Sequence, residues 1–203
     1  MQPYYDQPDH VLVRSDEPED LISLETAKHH LRVDHTDDDT KIEALIAAAM
    51  SVLDGPKGMV GKALVTQQWT LTQGRLTGKT RLPVPVLPFV TVVSLKYYDA
   101  ANSQQTADVG SDFITFGGDE FGYVEPRTSW PAMYDRPDAL ELIFTAGFGA
   151  AAAVPQNIVH AALLMICNWY ENRSGESQDG KTLEIPPGVE MLVNIDRIGW
   201  VKS

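Results

Sequence analysis

The chain has 203 residues, 43% of them hydrophobic and 22% charged, an ordinary composition for one globular domain or one domain with a sizeable insertion. Its formal charge of −12, from 16 basic and 28 acidic side chains, argues against general attraction to nucleic acid or anionic membranes, and against sequence-specific DNA binding. The single cysteine, Cys167, excludes an internal disulfide, and no apolar run of about eighteen residues is present to cross a bilayer. The first residues, Met1 to Asp20, lack the basic and apolar regions of a secretion signal, so synthesis in the cytoplasm is expected.

Residues 1–20 read as an extended acidic arm, with Asp16, Glu17, Glu19 and Asp20 around Pro18 and no apolar periodicity. Ser23 is a good N-cap for a short helix carrying Leu24, Ala27 and Leu31 on one face and ending near Val33. A second start signal, Thr36-Asp37-Asp38-Asp39, places acidic groups at the positive end of a helix dipole. Ile42, Leu45, Ile46, Ala49 and Leu53 then recur at helical spacing until Gly55-Pro56 stops the run. From Ala63 the period changes to two, and Val65, Gln67, Trp69 and Leu71 alternate with polar neighbours as in a strand.

Pro83, Pro85 and Pro88 lack N–H donors, which predicts an edge or polyproline-like segment over 81–88. Phe89–Tyr98 reads as a strand and 99–112 as a polar turn. Phe113–Phe116 and Phe121–Val124 read as a hairpin around Gly117-Gly118-Asp119-Glu120, and Ala139–Ala146 as the last strand. Pro155 then opens the strongest helix, whose stripe is Ile158, Val159, Ala162, Leu163, Ile166, Trp169 and Tyr170. A polar loop over 174–182 and a short helix over 187–198, with Val189, Leu192 and Val193 inward, complete the pattern. The expected class is α+β: a small α-helical bundle (helices about 23–54 and 155–198) with an inserted, mostly antiparallel β subdomain at about 63–147.

The residues offer no catalytic constellation. His29 and His30 are adjacent on a helix and point about 100° apart, so they are poorly placed to share a metal with His35. Asp37, Asp38 and Asp39 lack the glycine and closing glutamate of a calcium loop and read as helix capping. Cys167 lies beside the apolar stripe of its helix and reads as an inert thiol. Neither Gly117-Gly118 nor Gly147-Phe148-Gly149 matches a phosphate-loop pattern, and no nucleophile elbow occurs. No catalytic, cofactor or metal residue is assigned.

Four segments, in order, carry a family resemblance. They are Leu24 to Asp34 with the helix Ile42 to Ala49; Gly61 to Trp69; Arg81-Leu82-Pro83 with Pro88 and the strand ending Tyr97-Tyr98-Asp99; and Phe144 to Gly149, Val154-Pro155 and the helix ending Asn168 to Arg173. Together, over 21–198, they resemble the head–tail connector (adaptor) family of long-tailed phages and gene transfer agents. The resemblance implies a structural virion protein without catalysis. It also implies a dodecameric ring that meets the portal on one face and a stopper or next connector on the other, with DNA passing through its lumen.

Beyond that domain, the tail 199–203 keeps Trp200 and Val201 where a monomer core has no evident use for them. Aromatic anchors are typical of binding hot spots. Arg197, Ile198, Trp200, Val201 and Lys202 are therefore the expected portal-binding residues. The arm 1–20, with Tyr4, Tyr5, Val11 and Leu12, has enough apolar surface to dock on a partner. Competing readings are a stopper or tail-terminator, a carbohydrate- or host-binding β module using its aromatics, and a hydrolase built from scattered Asp, Glu and His residues.

Overall fold

A computed structural model describes residues 10–76, 81–172 and 185–198. The chain divides into two compact units, one of residues 1–18 and 66–148 and the other of residues 19–65 and 149–203. Each is therefore assembled from segments distant in sequence.

The first unit is a β structure. Its main sheet has the strand order β1-β2-β8-β4-β5, formed by β1 (His10–Arg14), β2 (Gln67–Gln73), β8 (Leu140–Ala146), β4 (Phe89–Tyr98) and β5 (Gln104–Thr106). Every pairing in it is antiparallel. Alternation decides the faces: Trp69 and Leu71 of β2 and Leu140, Leu142 and Phe144 of β8 are buried, while their neighbours are half exposed. Register shifts between Phe89 and Thr91 and between Val92 and Ser94 interrupt this alternation in β4, leaving Val90 and Val93 exposed.

A second, three-stranded sheet has the order β3-β7-β6, from β3 (Leu82–Pro83), β7 (Gly122–Pro126) and β6 (Phe113–Gly117). The proline-rich piece thus lies at a sheet edge, where a missing N–H costs least. A short helix α3 (Val109–Asp112) leads into β6, with the Asp108 carboxylate accepting from the N–H groups of Gly110 and Ser111.

The second unit is helical. It contains α1 (Leu24–Leu31), α2 (Asp39–Leu53), α4 (Gln156–Glu171) and α5 (Pro187–Val193). Its core is Leu21, Ile22, Ala27, Ile42, Ile46, Ala49, Leu53, Ile158, Ala161, Ala162, Met165, Ile166, Val189 and Val193. Ser23 caps α1 through its hydroxyl, which accepts from the Thr26 N–H at 3.2 Å. Between α2 and the β unit, the Asp54 carboxylate accepts from the Leu64 N–H at 2.7 Å and holds a compact loop over 55–64.

Several expectations need adjusting. Part of the N-terminal arm is strand β1, paired along β2 from His10↔Gln73 to Arg14↔Trp69. Its signal was weak because Val11, Leu12 and Val13 form a run of three apolar residues with no period of two. The strand after α2 begins at Gln67, since Ala63, Leu64 and Val65 are buried in the preceding loop. The segment 99–112 contains β5 and α3 in addition to its turn. The last helix closes at Val193 and continues only as turns.

The acidic cluster was misread. Asp38 occupies the N-cap of α2 but makes no capping bond with its side chain. It accepts instead from the Tyr170 hydroxyl at 2.5 Å, and Asp39 pairs with Lys28 at 2.5 Å. These carboxylates tie α2 to α4 and α1, which spacing along one helix could not show.

Candidate assembly surfaces

Among the described residues, no group of three or more His, Cys, Asp or Glu side chains is placed to hold a metal. His30 lies edge-on to His160, with ring centroids 6.4 Å apart. The Cys167 Sγ is 3.7 Å from a Glu171 carboxylate oxygen; burial first, and then the Glu171 charge, push its pKa above the ordinary thiol value. Raising a thiol pKa suppresses its nucleophilic form. One concavity of about 590 Å³ is lined by His10, Gln73, Arg75, Asp135 and Arg136. Its cations have partners: Arg136 forks onto Asp138 at 2.6 and 2.7 Å and stacks over Tyr98, and Arg75 faces Asp135 at 3.9 Å.

The features that stand out are apolar and exposed. The first is the root of the C-terminal tail. Pro186 and Pro187 open α5, and Val189 and Val193 point into the helical core. Asn157 fastens the end of α5, its side-chain amide donating to the Leu192 carbonyl at 2.9 Å and to Asp196 at 2.7 Å. The Ile198 N–H donates to the Val60 carbonyl at 3.3 Å, and its side chain lies 3.8 Å from where a Cβ on Gly61 would stand. On the outward side Met191 is 68% exposed and Ile195 69%, with Ile198 following three residues later.

Of the tail residues expected to bind a partner, the exposed Arg197 and Ile198 are described, and they continue this outward stripe. Trp200, Val201 and Lys202 lie outside the described residues. Met191 and Ile195 escaped the sequence reading because the inward Val189 and Val193 accounted for the helix. Their own spacing of four, continued by Ile198, was the available signal.

The second feature is the β6–β7 hairpin. Phe116 pairs with Tyr123 across the strands, and Phe121 stacks near both, with centroid distances of 5.7, 5.7 and 6.4 Å among the three rings. Phe116 and Phe121 remain 55% and 52% exposed, and Ile114 44%. Arg81 lies 4.5 Å above the Tyr123 ring and donates from Nε to Glu125 at 2.9 Å, forming a polar rim.

Glycines let this hairpin sit closely on β4. A Cβ on Gly122 would fall 2.8 Å from the Phe89 Cβ, and one on Gly117 would fall 2.9 Å from the Phe89 ring. The sequence did contain a cue. Strand β6 is apolar on both faces, with Phe113 buried and Ile114 and Phe116 turned outward.

The third is the edge strand β1, where Val11 and Val13 are 60% and 53% exposed. Among the described residues, β1 pairs with β2 and stands at the end of the strand order.

Comparison with known proteins places these surfaces in context. Residues 21–116 match the family described as "Phage gp6-like head-tail connector protein". No curated protein matches the sequence. Among solved structures, a chain from the "Neck of empty GTA particle computed with C6 symmetry" matches with a TM-score of 0.76 at 22% identity, over 94% of this chain and 97% of that one. A chain from the "Virion of native gene transfer agent (GTA) particle" matches with a TM-score of 0.69 at 21% identity, over the same shares. A third, from the "Neck of native GTA particle computed with C12 symmetry", gives 0.68 at 21% identity, again over 94% and 97%. The resemblance read in the opening helices and first strands is thus borne out: this chain carries the sequence pattern of gp6-like head–tail connector proteins over residues 21–116 and shares its fold with chains of gene transfer agent particles.

Proposed function

We propose that this protein is a head–tail connector (adaptor) subunit of a phage or phage-like particle. In that role it forms a ring between the portal and the stopper or tail, and DNA passes through the lumen. The observation that carries the reading is the coincidence of a connector-family match with a fold shared, over 94% of the chain, with chains of particle necks. The role is structural: the described surfaces favour protein contacts, and no catalytic step is assigned to them.

The outward stripe of Met191, Ile195 and Ile198 leads directly into the tail, so portal binding is assigned to this end of the helical unit, with Arg197, Trp200, Val201 and Lys202 continuing it. Each copy carries a charge of −12, and a lumen lined with carboxylates would repel the phosphate backbone and avoid counterion-release affinity. DNA would then slide through without being held. Tight, salt-sensitive DNA binding by the purified protein contradicts this part of the reading.

The test is co-expression with the portal of the same particle, followed by native mass measurement and electron microscopy. A multi-copy ring seated on the portal is expected. A monomer that ignores the portal overturns the proposal. A ring that binds only the tail side supports the nearest rival, a stopper or tail-terminator.

A further inference from the structure

We infer that the outward face of the β6–β7 hairpin docks an unlike protein, one that presents arginine or lysine beside apolar side chains. In the connector reading above, on which this rests, that protein is a neighbour in the particle and not a second copy. Strand register sets the face. Ile114 pairs with Glu125 and Phe116 with Tyr123 across β6 and β7, and Tyr123 pairs with Pro83 on β3. Successive side chains of a strand alternate, so these residues turn away from the side of the buried Phe113 and Val124. Ile114, Phe116 and, past the turn, Phe121 are exposed, and the rings of Phe116, Phe121 and Tyr123 lie against one another.

Backbone bonds hold this face in place. The Gly118 N–H donates to the Phe121 carbonyl at 2.8 Å and closes the turn. From neighbouring segments, the Phe89 N–H donates to the Gly118 carbonyl at 3.0 Å and the Val84 N–H to the Gly122 carbonyl at 2.8 Å. Rings positioned beforehand lose little freedom when a partner covers them.

Charge selects the partner. On the face itself Arg81 and Glu125 neutralise each other at 2.9 Å. At the far end of the hairpin the exposed Asp112 and Arg127 are one of each sign. The turn beside Phe121 carries Asp119 and Glu120, both exposed, whose charges nothing on the hairpin balances. A copy of this chain, at −12, is repelled there, whereas a cationic partner is attracted. Arg81 shows the chemistry in miniature. Its guanidinium lies 4.5 Å from the Tyr123 ring centroid and at the same time donates to a carboxylate. Phe116 and Phe121 with Asp119 and Glu120 offer the same two kinds of group to a cation from outside.

The test uses the full chain and a probe of defined chemistry. A short synthetic peptide of alternating leucine and arginine, and its counterpart with glutamate for arginine, are titrated by calorimetry at low and high salt. The arginine peptide is expected to bind more tightly by about tenfold or more. Phe116→Ser/Phe121→Ser changes exposed residues, should keep the wild-type circular dichroism, and is expected to weaken that binding by about tenfold or more. Asp119→Asn/Glu120→Gln should weaken it and flatten its salt dependence. Asp34→Asn/Asp37→Asn removes as much charge from an exposed loop elsewhere and should leave it unchanged. No loss in either hairpin variant, or an equal loss in the loop variant, overturns the inference, because the peptide then follows overall charge.

A second arm co-expresses the chain with the portal and, separately, with the tail-side protein of the same particle. Loss of either capture in Phe116→Ser/Phe121→Ser, with the ring intact, supports the inference. Loss of the ring itself identifies a second copy as the occupant and overturns it, and so does unchanged capture of both proteins. A wild type that forms no ring and captures neither protein defeats the connector reading, while the peptide arm still decides what the face binds.

Discussion

Substituting the two hairpin glycines separately tests how closely β6–β7 sits on β4. In Gly122→Ala the new Cβ would stand 2.8 Å from the Phe89 Cβ, 3.0 Å from its Cγ and 3.3 Å from the Val84 Cβ. The nearest atom is a Cβ fixed to the backbone of β4, so rotating the Phe89 ring cannot relieve the overlap. The hairpin or the strand must shift, at the cost of overpacking, about 1 to 3 kcal/mol. Gly118, four residues earlier, has nothing within 4 Å of an added Cβ. Gly118→Ala is therefore expected to be neutral, or to stabilise by up to about 1 kcal/mol through reduced freedom of the unfolded chain. Urea unfolding of both variants, compared at equal slope, measures the difference. Equal effects at the two positions, or a Gly122→Ala cost below about 0.5 kcal/mol, would show that the hairpin does not rest on Phe89 as described.

Three further outcomes follow from contacts in the structure. Tyr170→Phe removes the hydroxyl that donates to Asp38 and is expected to cost about 1.5 kcal/mol, near the low end for bonds to charged groups because the site is only partly buried; an unchanged urea midpoint would refute the link between α4 and α2. Acid should loosen the β unit. Asp99, held by the Ser103 N–H and the Gln105 side chain, Asp108, held by Ser111, and Asp138, held by Arg136, all have pKa values below the ordinary 3.8. A depressed folded-state pKa stabilises above the unfolded value and loses that contribution as pH falls through the folded one. Melting temperature is expected to decline as pH drops below about 4, and Asp138→Asn should flatten that decline; a profile identical to wild type would refute it. Finally, Met191→Asp/Ile195→Asp and deletion of residues 199–203 should each leave folding intact and weaken portal capture at least tenfold, measured by pull-down; full capture by both removes the portal role from this end.

Much of the fold was legible because burial left a period in the sequence. The alternation of Gln67, Trp69 and Leu71 marks a buried face, and of the helical stripe Ile158, Ala162 and Ile166 are buried while Val159 and Leu163 are half-buried. Pro83 and Pro88 announced an edge by what they cannot donate. What escaped the sequence was long-range. Asp38 looked like a cap because its sequence neighbours are helical, whereas its partner Tyr170 lies 132 residues away. Strand β1 is short, and its pairing partner begins more than fifty residues later, so local pattern could not distinguish it from an arm.

The assembly surfaces were the least legible. Phe116, Phe121, Met191 and Ile195 are ordinary apolar letters in a sequence, and only their exposure sets them apart. Trp200 and Val201 were singled out because they follow the last recognisable element, a cue that reaches a tail but not a hairpin.

The placement of β1 on β2 has a consequence for synthesis. The ribosome delivers β1 about fifty residues before β2, with which it pairs, and β2 about seventy residues before β8 on its other side. The helical unit likewise waits for α4 and α5, which follow the whole of the β unit. The β unit is therefore complete in sequence once β8 has been made, whereas the helical unit must hold α1 and α2 open until α4 and α5 arrive.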